Sequence, residues 1–340
     1  QLTMNPLIGA VAAGNCVIVK PSAYAPATSR VMAEICGAAF EEGHVQVIQG
    51  GRKENSALLE ERFDYIFFTG SPAVGRLVME KAAAHLTPLT LELGGKSPVI
   101  VDESADIGLA ARRILFGKLL NAGQTCVAPD YVLAQRGVKE ELVAALEREL
   151  ARMIPDQAYF GRVFPKIINQ KHFDRLVGLL QGQSILAGGQ YDEDTRQIRL
   201  TLVDEPSPDS PLMQEEIFGP ILPIIRCDSL REAIAFVAGR PHPLALYLFT
   251  ESREAEAEVI RSLRFGGGCV NDTVLHLAGA RLPFGGVGDS GMGRYHGKAS
   301  FDTFTHHKSV LKKWRAPDLP MRYHPYKDDR KPLPGWLLSR

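Results

Sequence analysis

The sequence predicts an α/β protein built on parallel sheet. Short apolar runs rich in Val and Ile end abruptly at Lys-Pro or Gly. Segments with helical spacing separate them. Glycine turns stand where a strand feeds a helix. Strands alternating with helices argue for βαβ units. At 340 residues the chain is long enough for two domains with their own cores.

The elements follow in order. Gly14 to Ser22 is a short strand halted by Lys20-Pro21. The helix Pro26 to Phe40 opens on a first-turn proline. Val45 to Ile48 is a strand closed by Gly50-Gly51, and Ser56 to Glu61 a short helix. Tyr65 to Thr69 is a buried strand. Gly70, Ser71 and Gly75 then form a turn opening the helix Val74 to His85. Such a turn exposes backbone N–H groups and a positive dipole end, which suit phosphate. It is not the G-x-G-x-x-G fingerprint, and a plain tight turn reads equally well.

Leu89 to Pro98 reads as a buried strand running into a glycine turn. Glu92 interrupts its apolar alternation, where an unpaired carboxylate is costly. Burial raises a carboxyl pKa, which suits a general base; a Glu capping a neighbouring helix is the structural alternative. A second βαβ series runs from Pro98-Val99-Ile100-Val101 to about Phe304. Within it, Ile107 to Leu120 has helical spacing and Tyr131 to Ala134 is strand-like. Cys126 lies in the loop between them. Loops on a rigid scaffold often carry chemistry, although a free Cys is as readily a small buried hydrophobe.

Val138 to Met153 reads as an amphipathic helix, and Gly182 to Gln197 as surface turns. Glu215-Glu216 alone is a solvated turn. Gly266 to Asp272 and Pro283 to Gly293 read as structural turns. His306 to Leu311 reads as an edge strand, and Trp314 to Arg340, with five Pro, as an extended tail. Trp336-Leu337-Leu338 is too short to span a membrane.

Lys plus Arg and Asp plus Glu are both 39. A net charge of zero offers nothing to nucleic acid or an anionic membrane. No apolar run approaches the roughly 18 residues of a membrane span. The five Cys show no paired or metal-ligand spacing. A reducing, cytoplasmic setting and no metal site are expected. Gln1 to Pro6 reads as the inside of a folded chain, so the natural protein is expected to be longer at this end.

Two motifs carry a family resemblance. Leu-Glu-Leu-Gly-Gly-Lys at 91–96 and Gly-Gln-Thr-Cys at 123–126 resemble the aldehyde dehydrogenase superfamily, over residues 1 to about 325. Ser290 to Lys298, followed by Ser300 to Phe304, looks like its class 3 branch of fatty and aromatic aldehyde dehydrogenases. The resemblance implies an aldehyde dehydrogenase-like α/β fold. Its parts are a parallel-sheet NAD(P)-binding domain at 1–91, incomplete at the N-terminus, an α/β catalytic domain at 92–302, and an oligomerisation strand with C-terminal tail at 303–340.

It also implies roles. Cys126 is the nucleophile and Glu92 activates water. Gly70, Ser71 and Gly75 lie beside the cofactor pyrophosphate. Lys20 contacts the adenine ribose, Glu216 binds the nicotinamide ribose and Phe218 packs near the nicotinamide. Much of the family has Glu three residues after that Lys; this chain has Ala23. An absent carboxylate removes repulsion against a 2′-phosphate, so NAD or NADP is expected. The family's oxyanion Asn falls a few residues before the position of Gln1. The partners implied are an aldehyde and a second copy, with His306 to Leu311 added to the partner's sheet. Two rivals stay open: a cofactor-free thiol hydrolase or acyl transferase, with no use for Gly70 to Gly75, Glu216 or Phe218, and a non-catalytic scaffold.

Overall fold

The computed structural model describes residues 1–318 and 322–325. Gln1 to Thr305 packs as one compact unit, and the residues from His306 form a second. The first unit opens with α1 (Met4–Ala12), β1 (Val17–Val19), α2 (Pro26–Ala39), β2 (Val45–Val47), α3 (Arg52–Leu59), β3 (Ile66–Thr69), α4 (Pro72–Ala83) and β4 (Leu89–Glu92). It continues with β5 (Pro98–Val101), α5 (Ile107–Leu119), β6 (Tyr131–Gln135), α6 (Lys139–Met153), α7 (Gln157–Val163) and α8 (Gln170–Leu180). Then come β7 (Ser184–Ala187), β8 (Tyr191–Asp192), β9 (Gln197–Ile198), β10 (Thr201–Asp204), α9 (Pro211–Gln214), β11 (Ile221–Cys227) and α10 (Leu230–Ala238). The unit closes with β12 (Ala245–Phe249), α11 (Arg253–Ser262), β13 (Gly267–Val270), β14 (Gly291–Met292) and α12 (Lys298–Thr303).

The larger sheet has seven strands in the order β13-β12-β5-β6-β11-β10-β7. All its neighbours run parallel except β10 and β7. Helices cover both faces, so its strands are continuously apolar: every residue of β5, β6 and β12 is buried. A smaller sheet pairs β3 with β4 in parallel and adds β14 antiparallel to β4. The chain passes from the small sheet to the large one through the turn after Glu92. β1 and β2 form a separate parallel pair.

Several details depart from the sequence reading. α3 begins at Arg52 rather than Ser56, because the Glu54 carboxylate accepts the Gly51 N–H at 2.6 Å and starts the helix early. α4 begins at Pro72, since Ser71 caps it and a first-turn Pro needs no donor. Gly182 to Gln197 holds β7 and the start of the β8–β9 hairpin as well as turns. Asp192 accepts the N–H groups of Asp194 and Thr195 there, closing the hairpin turn.

Gly266 to Asp272 is largely strand, not turn. A Cβ on Gly268 would lie 2.0 Å from the Leu246 carbonyl, so only glycine lets β13 approach β12 so closely. Among the described residues, 306–314 belong to no sheet. The far tail, including Trp336-Leu337-Leu338, lies outside the described residues. Among the described residues no helix is long and apolar enough to cross a membrane.

Candidate active site

The loop after α5 holds Cys126. Asn121 and Ala122 take φ of 51° and 53° and Gly123 one of 72°, three left-handed residues in succession. Non-glycine residues pay for that region, and such strain gathers at functional loops. The bend is fixed from several sides. The Gln124 amide donates to the Lys166 carbonyl and accepts the Ile168 N–H at 2.9 Å. The Tyr247 hydroxyl donates to the Val127 carbonyl at 2.5 Å. Gly123 packs on the Gly219 carbonyl, which a Cβ would approach to 2.3 Å. We expect Gly123→Ala to cost at least about 1 kcal/mol of stability and to lower activity. Urea melts and initial rates check this; unchanged stability and rate would contradict it.

Glu92 ends β4 at 3% exposure. Among the described residues neither carboxylate oxygen has a hydrogen-bond partner. Burial pushes its pKa up to about 9. The glycine-rich run Pro283 to Gly293 backs this strand. β14 pairs with it, and a Cβ on Gly291 would lie 2.0 Å from the Leu91 carbonyl.

Structure brings Glu92, Cys126 and Glu216 together. The Cys126 thiol is pushed up to about 12, first by burial, then by the charges of Glu216 and Glu92. The amides of Cys126 and Val127 pull it the other way by hydrogen bonding to the sulfur. Glu216 is raised to about 8, chiefly by burial and the charge of Asp130, while a hydrogen bond from the Gly95 backbone lowers it. Its carboxylate rests on Gly94, where a Cβ would lie 2.0 Å from Oε2. Phe218 has φ of 47° and is 39% exposed, so its ring is presented to solvent on a strained backbone.

The turn before α4 lies beside Glu92. The Gly70 N–H donates to the Glu92 carbonyl at 3.0 Å, and Ser71 caps the helix through the Val74 N–H. Gly75 is buried against Leu93, which a Cβ would approach to 2.6 Å; packing of α4 on the strand end accounts for it. Lys20 sits at the carboxyl end of β1, donating to the Gly50 carbonyl at 2.7 Å and the Pro21 carbonyl at 3.0 Å. Burial lowers its pKa and the Glu54 charge opposes that. Its contacts are with the β1–β2 edge, not with the Glu92–Cys126–Glu216 cluster.

Sequence reading missed several residues here. Lys96 is a member of the Glu92 motif, yet its partner Asp130 lies 34 positions away. Lys118, in the last turn of α5, is buried at 1% exposure. Burial lowers its pKa to about 8, and Asp130 and Glu216 oppose that. Arg175, on α8, donates to the Glu215 side chain and to the Glu216 and Ile217 carbonyls. An Arg or Lys on a helix carries no sequence mark of such contacts.

The cluster fits a nicotinamide dinucleotide. A capped twelve-residue helix opens beside it, a carboxylate sits in a cradle only glycine leaves, and a buried carboxyl awaits a partner. Known proteins resemble this chain over most of its length. Residues 1–310 match the aldehyde dehydrogenase family model. The 4,4'-diaponeurosporen-aldehyde dehydrogenase of Staphylococcus aureus is 52% identical over 100% of this chain and 74% of that protein. Aldehyde dehydrogenase family 3 member B1 of Mus musculus is 48% identical over 96% of this chain and 70% of its own. A Mycobacterium tuberculosis aldehyde dehydrogenase solved with NAD+ superposes with a TM-score of 0.82, at 32% identity over 94% of this chain and 67% of that one.

Proposed function

Because the chain belongs to the aldehyde dehydrogenase family and oxidises aldehydes, we propose that it does so through a covalent bond to Cys126, with NAD or NADP as cofactor. The observation that carries this is the unpartnered, buried Glu92 carboxyl, close enough for its charge to raise the Cys126 thiol. Gly70 and Ser71 would hold the pyrophosphate at the start of α4, Lys20 the adenine ribose, Glu216 the nicotinamide ribose, and Phe218 the nicotinamide face. The bound cofactor supplies the hydride acceptor and a positively charged ring.

Cys126 gives its proton to solvent water, and the thiolate sulfur adds to the aldehyde carbon as the C=O electron pair moves onto oxygen, giving the alkoxide of a thiohemiacetal. Loss of hydride from that carbon leaves a thioester on Cys126. The amides of Cys126 and Val127 hydrogen-bond to the sulfur and so favour its thiolate form. Glu92 in its carboxylate form takes a proton from water, and the hydroxide released on the thioester carbon expels the thiolate as a carboxylic acid forms. Glu92 favours hydrolysis over transfer to a thiol acceptor. A homodimer joined through residues 306–311 belongs to the same reading; among the described residues that segment joins no sheet.

The experiment is absorbance of reduced nicotinamide formed from NAD or NADP with octanal or benzaldehyde. A cofactor-free thiol hydrolase would give none and would bind no dinucleotide. With Ala23 exposed and Lys20 at the strand end, NADP is accepted as well as NAD. Selectivity for NAD above roughly a thousandfold, about 4 kcal/mol, would refute that.

A further inference from the structure

One buried ion pair joins the segments that carry Glu92, Cys126 and Glu216, and none of the roles above uses it. Lys96 ends the Glu92 motif, and Asp130 follows Cys126 by four residues. Their side chains are only 10% and 4% exposed. Lys96 Nζ donates to Asp130 Oδ1, to the Leu212 carbonyl at 2.8 Å and to the Glu215 carbonyl at 3.0 Å. An ammonium has three protons, so all are used. Asp130 Oδ2 accepts the Ile217 N–H at 2.9 Å, and the Asp130 N–H donates to the Ser97 carbonyl at 2.9 Å.

Glu216 therefore sits between two residues whose backbones are pinned, Glu215 by Lys96 and Ile217 by Asp130. Arg175 holds the same stretch through the Glu216 and Ile217 carbonyls. With its backbone fixed, the Glu216 carboxylate comes to lie over Gly94, two residues before Lys96. The next residues, Phe218 and Gly219, are carried along, and Gly219 meets Gly123 of the cysteine loop.

We propose that Lys96 and Asp130 are positioning residues that set Glu216 and Phe218 against the Glu92 turn and the Cys126 loop, so that cofactor binding and thiol alignment depend on one clamp. This rests on the reading of Glu216 as a cofactor contact, and the test separates the two. A salt bridge that merely supports the fold would be replaceable without a local signature.

The test uses the full chain with Lys96→Met, Glu216→Gln and the double variant. NAD(P) titration gives affinity, and amide hydrogen exchange gives the freedom of residues 215–219. Lys96→Met is expected to weaken NAD(P) binding at least about tenfold, since small misplacements of binding groups are expensive. It should speed exchange in 215–219 at least about tenfold while leaving β12 unchanged. Because Lys96 acts through Glu216, the double variant should lose no more than about threefold beyond the worse single one.

Losses that multiply, or exchange in 215–219 that stays protected, overturn the clamp. Unchanged affinity in Glu216→Gln overturns the cofactor role of Glu216 instead, and the exchange result still decides the clamp. If Lys96→Met does not fold, Asp130→Asn keeps an acceptor for the Ile217 N–H. The same local pattern is then expected, and a uniform rise in exchange across the sheet contradicts it.

Discussion

Replacing Cys126 with Ala is expected to lower kcat for aldehyde-dependent reduction of NAD(P) by on the order of 10⁴-fold or more, with cofactor affinity kept. Cys126 is the thiol beside Glu92 and Glu216. Cys36 and Cys227 are buried, and Cys16 is exposed beside β1. Cys269 lies on β13, where its sulfur is 3.6 Å from His276 Nδ1 and burial raises its pKa. Initial rates with octanal check the claim, beside a titration with NAD(P). A variant retaining a tenth of the wild-type rate would show that Cys126 is not the nucleophile.

Glu92→Gln is expected to lower steady-state kcat by about 10²–10⁴-fold, the usual contribution of a positioned base. The first turnover should survive as a burst of roughly one reduced cofactor per site, because the acyl group forms before water is needed. Wild-type turnover should rise about tenfold per pH unit below the Glu92 pKa of about 9 and then level. The variant should lose that rise. A full steady-state rate in Glu92→Gln, or loss of the burst along with turnover, would assign Glu92 another role.

The same residue couples stability to pH. Its folded pKa lies above the unfolded value, so between the two the folded state binds more protons. Stability contributed by the buried neutral acid is then lost as pH rises from about 4.5 toward about 9. One pKa unit is about 1.4 kcal/mol. Glu92→Gln should therefore melt higher than wild type at pH 8, and the gap should close toward pH 5. A gap independent of pH would place the carboxyl in a polar setting.

Glu92 and Cys126 were legible in the sequence because each breaks a local pattern. A carboxylate stands inside an apolar strand, and a thiol stands in a glycine loop after a helix. The βαβ order was legible for the same reason: each parallel strand is an apolar run with a hard stop. The β13 glycines read as turns because the reason for them, the Leu246 carbonyl, lies on another strand. The bend at Asn121 and Ala122 was invisible, since only Gly123 advertises a left-handed backbone. Asp130, Arg175 and Lys118 carry no local signal, because their roles exist only when distant segments meet. Gly75 fits the turn pattern of a phosphate loop, and the absence of a Cβ also lets it pack against Leu93.

The most direct measurement is the mass of the Cys126 peptide from Glu92→Gln after mixing with octanal and NAD(P) and quenching in acid. An octanoyl thioester on Cys126 is expected, absent when either aldehyde or cofactor is left out. An unmodified Cys126 in enzyme that has completed its first turnover, or an acyl group on another residue, would contradict it.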